Sequence, residues 1–535
     1  SSKPPRMRRH HCSGPRTCRL ATSSAARRIE NVEKKPGDAD QATDVRLAQG
    51  LLQAFKDPDH YFCEWWARGV WLGSHERPLP RARALYDRKI RWPIKEDGDH
   101  LHGEWRTNYS SMKDHEDQVI RQYSEEVQQG LMVKMSLGEA IDEYGEQLVI
   151  AATGAIAKKG KAPGSEVRVI YDGTNGVFLN HGIRIRDQIR FPTAPDIKAV
   201  LAEMAEEGGT HFALLFDVSK AHRRVPVLES DWGRQACQVR GSAAATAQFR
   251  RSRPEARGRA SQGGEPPEVS RGRPEPVRRG DFSAKELGED LYLNKVGTFG
   301  VTSAGYWWGR AGGAVMRLGH YVVGFKEALW ALLYSDDGKL TGRTERPERG
   351  LLLFLLTLVL IDLPLSWHKV RGGLEFEWIG YFLDIGRFEI GVTFARAVWA
   401  ANWLSDKVAE GRVRLSELRE GLGRLQFLAG PGEHVRPFLG PLYAWASAGP
   451  RFARPKLPVM VALIMRYLAK ELREHHTMSC ETRAEQLGEV FRLDASAKGS
   501  VIAIGGWRIR KGENPKDSEW FSLTLTKATA PWAFS

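Results

Sequence analysis

The chain has few cysteines and no long apolar run. Its five cysteines, at positions 12, 18, 63, 237 and 480 of 535 residues, are scattered and form no CxxC pair. This spacing argues against a disulfide framework and indicates a reducing, intracellular compartment, without deciding between nucleus and cytoplasm. The longest apolar run, Leu351 to Ile361, is broken by Asp362 and Pro364 and is too short to span a bilayer. It therefore predicts a buried helix and no membrane partner.

Positive charge is unevenly distributed along the chain. The formal net charge is +14, and two segments account for all of it: residues 1–36 hold ten Lys or Arg against two Glu, and residues 240–280 hold ten Arg against four Glu. Both are too polar to bury a core, so we expect residues 1–45 to form a disordered basic N-terminus and residues 241–282 a disordered Arg-, Gly- and Pro-rich insertion. The insertion is either a tolerated surface segment or mistranslated intron, or an arginine-rich contact to nucleic acid.

Two acidic segments carry the chemistry that the sequence suggests. An apolar run at residues 328–333 is followed by Tyr334, Ser335, Asp336, Asp337 and a glycine, which predicts a β-hairpin that holds adjacent carboxylates at its tip. A third acid, 119 residues before Asp336, is Asp217, which ends the short apolar strand 212–216. Neighbouring strands would bring three carboxylates together, an arrangement suited to two divalent ions in phosphoryl transfer. The alternative is an ion-free solvated turn and an unrelated acid at a strand end.

These segments resemble motifs A and C of reverse transcriptases, and other motifs of that family occur in its order. The resemblance covers roughly residues 135–445. The segments that carry the other motifs are Val167–Asp172 (fingers strand), Phe299–Gly305 (motif B), Trp367–Lys369 (motif D), Trp378–Tyr381 (primer grip of motif E), and the thumb- and connection-like Gly423–Phe427 and Arg436–Leu439. The pattern is most similar to retrotransposon enzymes of the DIRS-like group.

The resemblance implies an α+β fold of the right-hand polymerase type, with fingers, palm, thumb, a helical connection and a partial RNase H-like domain. The expected boundaries are 46–135 for an N-terminal helical region, 136–386 for fingers and palm, 387–478 for thumb and connection helices, and 485–535 for an incomplete RNase H-like segment. In that last segment Asp494 stands where an RNase H has its first catalytic aspartate. The further acids of that family do not follow, so we expect Asp494 to be non-functional.

The implied function is template-directed DNA synthesis from RNA by two-metal phosphoryl transfer. The implied partners are an RNA template, a DNA or RNA primer and dNTPs. The resemblance makes Asp217, Asp336 and Asp337 both the catalytic residues and the ligands of two Mg²⁺ (or Mn²⁺) ions. The implied nucleotide-binding residues are Lys161, Arg168, His222, Gly300 and Lys369.

Each nucleotide-binding residue has an expected role. Arg168 and Lys161 neutralise the triphosphate, and Gly300 lets the backbone approach the template–nucleotide pair. Lys369 either donates a proton to pyrophosphate or is an ordinary solvated lysine. His222 departs from the family, which has Phe or Tyr five residues after the motif A aspartate to exclude a ribose 2′-hydroxyl. We therefore expect weaker rejection of rNTPs, unless a neighbouring backbone segment fills the gap.

Two other functions stay open at this point. An RNA-dependent RNA polymerase also uses a palm with paired aspartates, although the motif E and RNase H-like segments favour a retroelement. A catalytically inactive remnant that only binds nucleic acid belongs to a different class. The sequence predicts neither the priming mechanism nor the oligomeric state.

Overall fold

The structure is a computed structural model that describes residues 43–74, 77–90, 105–157, 167–239, 290–324, 327–343, 347–474, 477–480, 489–498, 501–510 and 514–531. Residues 1–42 of the expected basic N-terminus, the insertion at 241–282 and Lys161 lie outside these residues, whereas Val45, the last residue expected to be disordered, is buried and begins a helix. The chain divides into two compact units. The first contains the described residues up to Thr193 together with Thr210–Gly380, and the second contains Ala194–Gly209 together with the described residues from Tyr381 onward.

The described residues form a mixed helix and sheet structure. Its helices are Val45–Ala54 (α1), Phe62–Arg68 (α2), Ser110–Lys113 (α3), Glu116–Gln128 (α4), Leu137–Tyr144 (α5), Leu179–Gly182 (α6), Ala194–Glu207 (α7), Thr302–Val323 (α8), Pro347–Leu360 (α9), Phe394–Glu410 (α10), Leu415–Leu428 (α11), Leu439–Ser447 (α12) and Val459–Glu474 (α13). Its strands are Met132–Ser136 (β1), Ile150–Ala157 (β2), Val167–Asp172 (β3), His211–Asp217 (β4), Ala236–Cys237 (β5), Asp290–Asn294 (β6), Leu329–Tyr334 (β7), Asp337–Arg343 (β8), Arg371–Gly373 (β9), Glu375–Trp378 (β10), Tyr381–Asp384 (β11), Glu389–Val392 (β12), Thr477–Ser479 (β13), Glu489–Lys498 (β14), Val501–Arg510 (β15) and Glu519–Leu525 (β16).

Two sheets organise the first unit. One has the strand order β1-β6-β5-β2-β3, and its edge strand β3 matches the predicted fingers strand. The other has the order β7-β8-β4-β9, with each neighbouring pair antiparallel. Side chains alternate between the faces of a strand, and on one face Phe216 of β4 and Leu340 of β8 enter the main hydrophobic core. Helices α8 and α9 pack against each other and against this sheet.

The apolar run that predicted a buried helix forms α9, but only one side of that helix is buried. Phe354 and Leu358 are fully buried, whereas Leu352 is 53% exposed and Leu356 is 51% exposed. The predicted helix is therefore present, and its burial is limited to the side that carries Phe354 and Leu358. The run is apolar on all sides, so its sequence carries no periodic signal to show which face meets the core.

A buried ion pair joins the N-terminal helices to α8. The Arg310 guanidinium donates from Nη2 to Asp59 Oδ1 at 2.5 Å and from Nε to Asp59 Oδ2 at 2.8 Å, with side-chain exposures of 0% and 1%. The rings of Phe62, Trp65 and Trp307 lie 5.0, 5.2 and 5.8 Å from the guanidinium carbon. The residues just after α1 are therefore part of the core that contains α8.

The second unit contains helices and two further groups of paired strands. Strands β11, β12 and β13 are antiparallel neighbours, and β14, β15 and β16 form an antiparallel meander. The meander includes the predicted hairpin that carries Asp494. The expected thumb and connection region, 387–478, contains α11, in which four leucines at helical spacing are buried; they are Leu415, Leu418, Leu422 and Leu425. No helix in the described part of the chain has the length and apolarity needed to cross a bilayer.

We expect Arg310→Met to lower the free energy of unfolding by about 3–5 kcal/mol, because it leaves the Asp59 carboxylate buried without its cation. Denaturant unfolding followed by circular dichroism measures this change. The double variant Asp59→Leu/Arg310→Met should recover most of the loss, since no charge then stays buried. A single variant as stable as the parent would contradict the assignment.

Candidate active site

Strand pairing brings two of the predicted acids side by side. In the β4–β8 pair, His211 faces Arg343 at one end and Asp217 faces Asp337 at the other. Facing residues of an antiparallel pair have Cα atoms about 4.5–5.5 Å apart. The Val218 amide donates to the Asp336 carbonyl oxygen at 2.9 Å, which holds the end of β4 to the hairpin turn.

The hairpin is present, but its turn contains only one of the two aspartates. Tyr334 pairs with Asp337, so the turn residues are Ser335 and Asp336, and Asp337 is the first residue of β8. The prediction of both acids at the tip is therefore wrong: Asp336 lies at the tip and Asp337 lies in the strand. Gly338 serves packing instead of the turn, because a Cβ there would collide with the Phe216 ring.

Negative charge is concentrated at this end of the sheet. Burial raises the pKa of the Asp337 carboxyl, and the Asp336 and Asp217 carboxylates raise it further, while Lys369 and Arg371 act in the opposite direction. Lys369 Nζ lies 2.9 Å from Asp217 Oδ1. Lys369 was predicted as a proton donor or a solvated lysine, and in the structure it forms an ion pair with the motif A acid.

The three carboxylates are not arranged as a metal-binding group in the structure. Among the described residues, no group of three or more His, Cys, Asp or Glu side chains is arranged to hold a metal ion. The Asp217 carboxylate instead contacts Lys369. The donor set still fits Mg²⁺ or Mn²⁺, since these ions prefer carboxylate oxygens. Burial is the main cause of the raised pKa of Asp337, and the Asp336 and Asp217 charges, which raise it further, are charges that a cation offsets. Metal binding by the three acids stays a prediction.

Two cavities of the first unit border the acids. Asp217 and Asp337 line a cavity of about 430 Å³ together with Lys369, Arg371 and Trp378. Trp378 belongs to the segment predicted as the primer grip. Arg371 was missed by sequence reasoning, although its position two residues after the motif D lysine is a usable signal.

Asp336 lines a second cavity, of about 320 Å³, which also contains Arg168, His222, Phe299 and Lys220. Ligand pockets commonly begin near this size. The Arg168 guanidinium carbon lies 5.3 Å from the Phe299 ring centroid, and the His222 ring meets Phe299 edge-on at 5.9 Å. Burial lowers the pKa of His222, and the Asp336 charge opposes this effect. Arg168 and His222, which were predicted to contact the triphosphate and the sugar, thus line the same cavity as Asp336.

Lys220 also lines this second cavity, and sequence reasoning missed it. Its Nζ donates to Gln129 Oε1 at 2.9 Å, and its backbone is left-handed with φ 52°. A lysine three residues after the motif A aspartate was the available signal.

Gly300 makes a contact that the sequence did not predict. Its φ is +104°, and a Cβ there would collide with the Tyr171 carbonyl oxygen of β3. Asn180 holds the same loop, donating from Nδ2 to the Gly300 oxygen at 2.8 Å and accepting the Thr302 amide on Oδ1 at 2.8 Å. The glycine allows the loop before α8 to pack closely against β3. Its approach to a nucleotide stays a prediction.

Asp494 lies in β14 opposite Gly505, and its Oδ1 accepts the Ala495 amide at 2.9 Å. In the described part of the chain it belongs to no group of three potential metal-binding side chains. That Asp494 is non-functional stays a prediction.

Comparisons with known proteins give only weak similarities. No protein-family model matches the chain, and no curated protein matches it. The solved structures that resemble it include a foamy viral protease-reverse transcriptase dRH in complex with double-stranded DNA, with 13% identity and a TM-score of 0.45 over 93% of this chain and 71% of that one. A second foamy viral protease-reverse transcriptase, also in complex with double-stranded DNA, has 13% identity and a TM-score of 0.45 over 95% of this chain and 81% of that one. A likeness of this size carries no conclusion, so the site is argued from its own geometry.

We expect Gly300→Ala to lower the free energy of unfolding by about 1–3 kcal/mol, through the positive φ and the collision with Tyr171. Gly305→Ala is the matched control, since a Cβ at that position in α8 meets nothing within 4 Å. The control should be neutral or raise stability by up to about 1 kcal/mol. Equal effects of the two substitutions in thermal unfolding would contradict the close approach of the loop to β3.

Proposed function

We propose that the chain is a template-directed nucleotidyltransferase that synthesises DNA on an RNA template, as a reverse transcriptase does. The observation that carries the proposal is the facing pair Asp217 and Asp337, with Asp336 beside it in the turn. The ordered motifs from the fingers strand to the primer grip support it. A DIRS-like retrotransposon origin and an RNase H-like tail belong to the same proposal and rest on sequence resemblance alone.

Asp217, Asp336 and Asp337 would hold the Mg²⁺ (or Mn²⁺) ions. Bound there, these ions supply Lewis-acid activation of the primer 3′-hydroxyl and charge neutralisation at the leaving pyrophosphate. Arg168 and Lys220 line the cavity beside Asp336 and present cations to a triphosphate, and a guanidinium can contact two of its oxygens. Lys161 is proposed to add a further cation. Lys369 is near enough to the acids to give a proton to the departing pyrophosphate.

A specific observation favours each alternative function. The Asp217–Lys369 ion pair, with no convergence of the three acids among the described residues, favours a catalytically inactive nucleic-acid-binding remnant. His222 in the cavity beside Asp336 favours ribonucleotides and hence an RNA-dependent RNA polymerase. Primer extension on poly(rA)/oligo(dT) separates the three, because a reverse transcriptase extends with dTTP, an RNA polymerase extends with UTP and a remnant extends with neither.

We expect Asp336→Asn to reduce primer extension by at least about 100-fold, since loss of a metal-binding carboxylate removes several kcal/mol of transition-state stabilisation. Binding to template-primer should stay close to the parent, because phosphate contacts lie elsewhere. Asp494→Asn is the matched control and should extend normally. Extension by the Asp336 variant at the parent rate would show that this acid is not part of a catalytic site.

We expect His222→Phe to raise the ratio of kcat/KM for dTTP over UTP by about 10-fold or more. A Phe ring is larger than imidazole and cannot form a hydrogen bond to a 2′-hydroxyl. Steady-state kinetics with both nucleotides measures the ratio in parent and variant. An unchanged ratio would mean that another part of the pocket selects the sugar.

A further inference from the structure

The two peptide groups that flank Asp336 in the hairpin turn each accept a hydrogen bond from outside the turn. The Asp336 carbonyl oxygen accepts the Val218 amide at 2.9 Å, and the Ser335 carbonyl oxygen accepts the Trp308 indole Nε1–H at 2.7 Å. These two carbonyls belong to the peptide groups on either side of the Asp336 Cα. Together the two bonds fix the backbone direction from which the Asp336 side chain leaves the turn.

Ser335 has a backbone conformation that needs such support. Its φ is +55°, in the left-handed region that residues with a Cβ rarely adopt. Strained backbone of this kind persists where surrounding contacts over-determine it. The indole bond is one of these contacts, and it comes from a ring that is 1% exposed and therefore has a fixed position.

Helix α8 presents two adjacent tryptophans in the same chemical role. Trp307 is also 1% exposed, and its Nε1–H donates to the Trp71 carbonyl oxygen at 2.8 Å. Trp307 and Trp308 thus lie in the same helix, are equally buried and each donate an indole hydrogen bond to a backbone carbonyl oxygen. They differ in the acceptor: Trp71 lies in the N-terminal part of the unit, and Ser335 lies in the turn with the acid.

We propose that Trp308 is a positioning residue, whose indole N–H fixes the Ser335–Asp336 peptide group and thereby the direction of the Asp336 carboxylate. The proposal rests on the proposed function, because it assigns Trp308 a part in the same nucleotidyl transfer. A misplacement of about 1 Å can cost about 100-fold in rate. Loss of the bond should therefore reduce the rate of the chemical step and leave substrate binding largely unchanged.

The test compares Trp308→Phe with Trp307→Phe in the full chain. Each substitution removes one buried indole bond, and Trp307→Phe also shrinks a ring of the aromatic cluster around Arg310, so Trp307→Phe should lower Tm at least as much as Trp308→Phe. We expect Trp308→Phe to reduce kcat for dTTP incorporation at least about 10-fold with KM within about 2-fold of the parent, and Trp307→Phe to keep kcat near the parent value. Hydrogen exchange in peptides covering residues 329–340 should rise in the Trp308 variant alone. Equal losses of kcat in the two variants, or a normal kcat in the Trp308 variant, would overturn the proposal.

A second substitution and a measurement that does not depend on activity complete the test. If Trp308→Phe does not fold, replacing the Trp308 indole by benzothiophene retains the bicyclic ring and removes only the N–H, and the same signature is expected. If the parent chain extends no primer, the proposed function fails, while the exchange comparison still tests the hold on the turn. Unchanged exchange in residues 329–340 would then overturn the positioning role separately.

Discussion

The antiparallel register of β4 with β8 is the constraint on which the candidate site depends. Asp217 faces Asp337 because seven residues of β4 pair without interruption from His211 to Asp217. A shift of one residue would turn every side chain to the opposite face, and Phe216 and Leu340 would leave the core. The hydrophobic core therefore fixes the register that places the two carboxylates opposite each other. Gly338 belongs to the same constraint, since any side chain there would meet the Phe216 ring.

Placing two carboxylates in register has an electrostatic cost, and the order of the strands offsets part of it. β4 pairs with β8 on one side and with β9 on the other. The β8 side brings Asp337, and the β9 side brings Arg371 and, just before that strand, Lys369, which lies 2.9 Å from Asp217. The β9 edge of the sheet thus places Lys369 and Arg371 near the carboxylates, on the side of β4 opposite the β7–β8 hairpin. Burial raises the pKa of Asp337 most, the Asp336 and Asp217 charges raise it further, and Lys369 and Arg371 on the β9 side lower it in part.

Much of the local structure could be predicted from the sequence, because apolar runs and turn residues act over short distances. The strand ending at Asp217, the strand Val167–Asp172 and the hairpin at Asp336 are all present. The exact turn residues could not be predicted, because an Asp-Gly pair is a strong turn signal and the requirement for Gly338 comes from a ring 122 residues away. The Asp217–Lys369 pair was beyond sequence reasoning for a similar reason: it depends on β9 lying beside β4, which periodicity does not specify.

Helix α8 connects the stability of the first unit to the geometry of the turn. Within one turn of this helix, Trp307 bonds to the Trp71 carbonyl, Trp308 bonds to the Ser335 carbonyl and Arg310 pairs with Asp59. The N-terminal region and the acid-bearing turn are therefore attached to the same few residues. Arg310 and both indoles are almost fully buried, so each of these attachments helps to hold the same stretch of the helix in place. Residues 43–74 thus help to hold α8 in place, although none of them lines either of the cavities that the acids line.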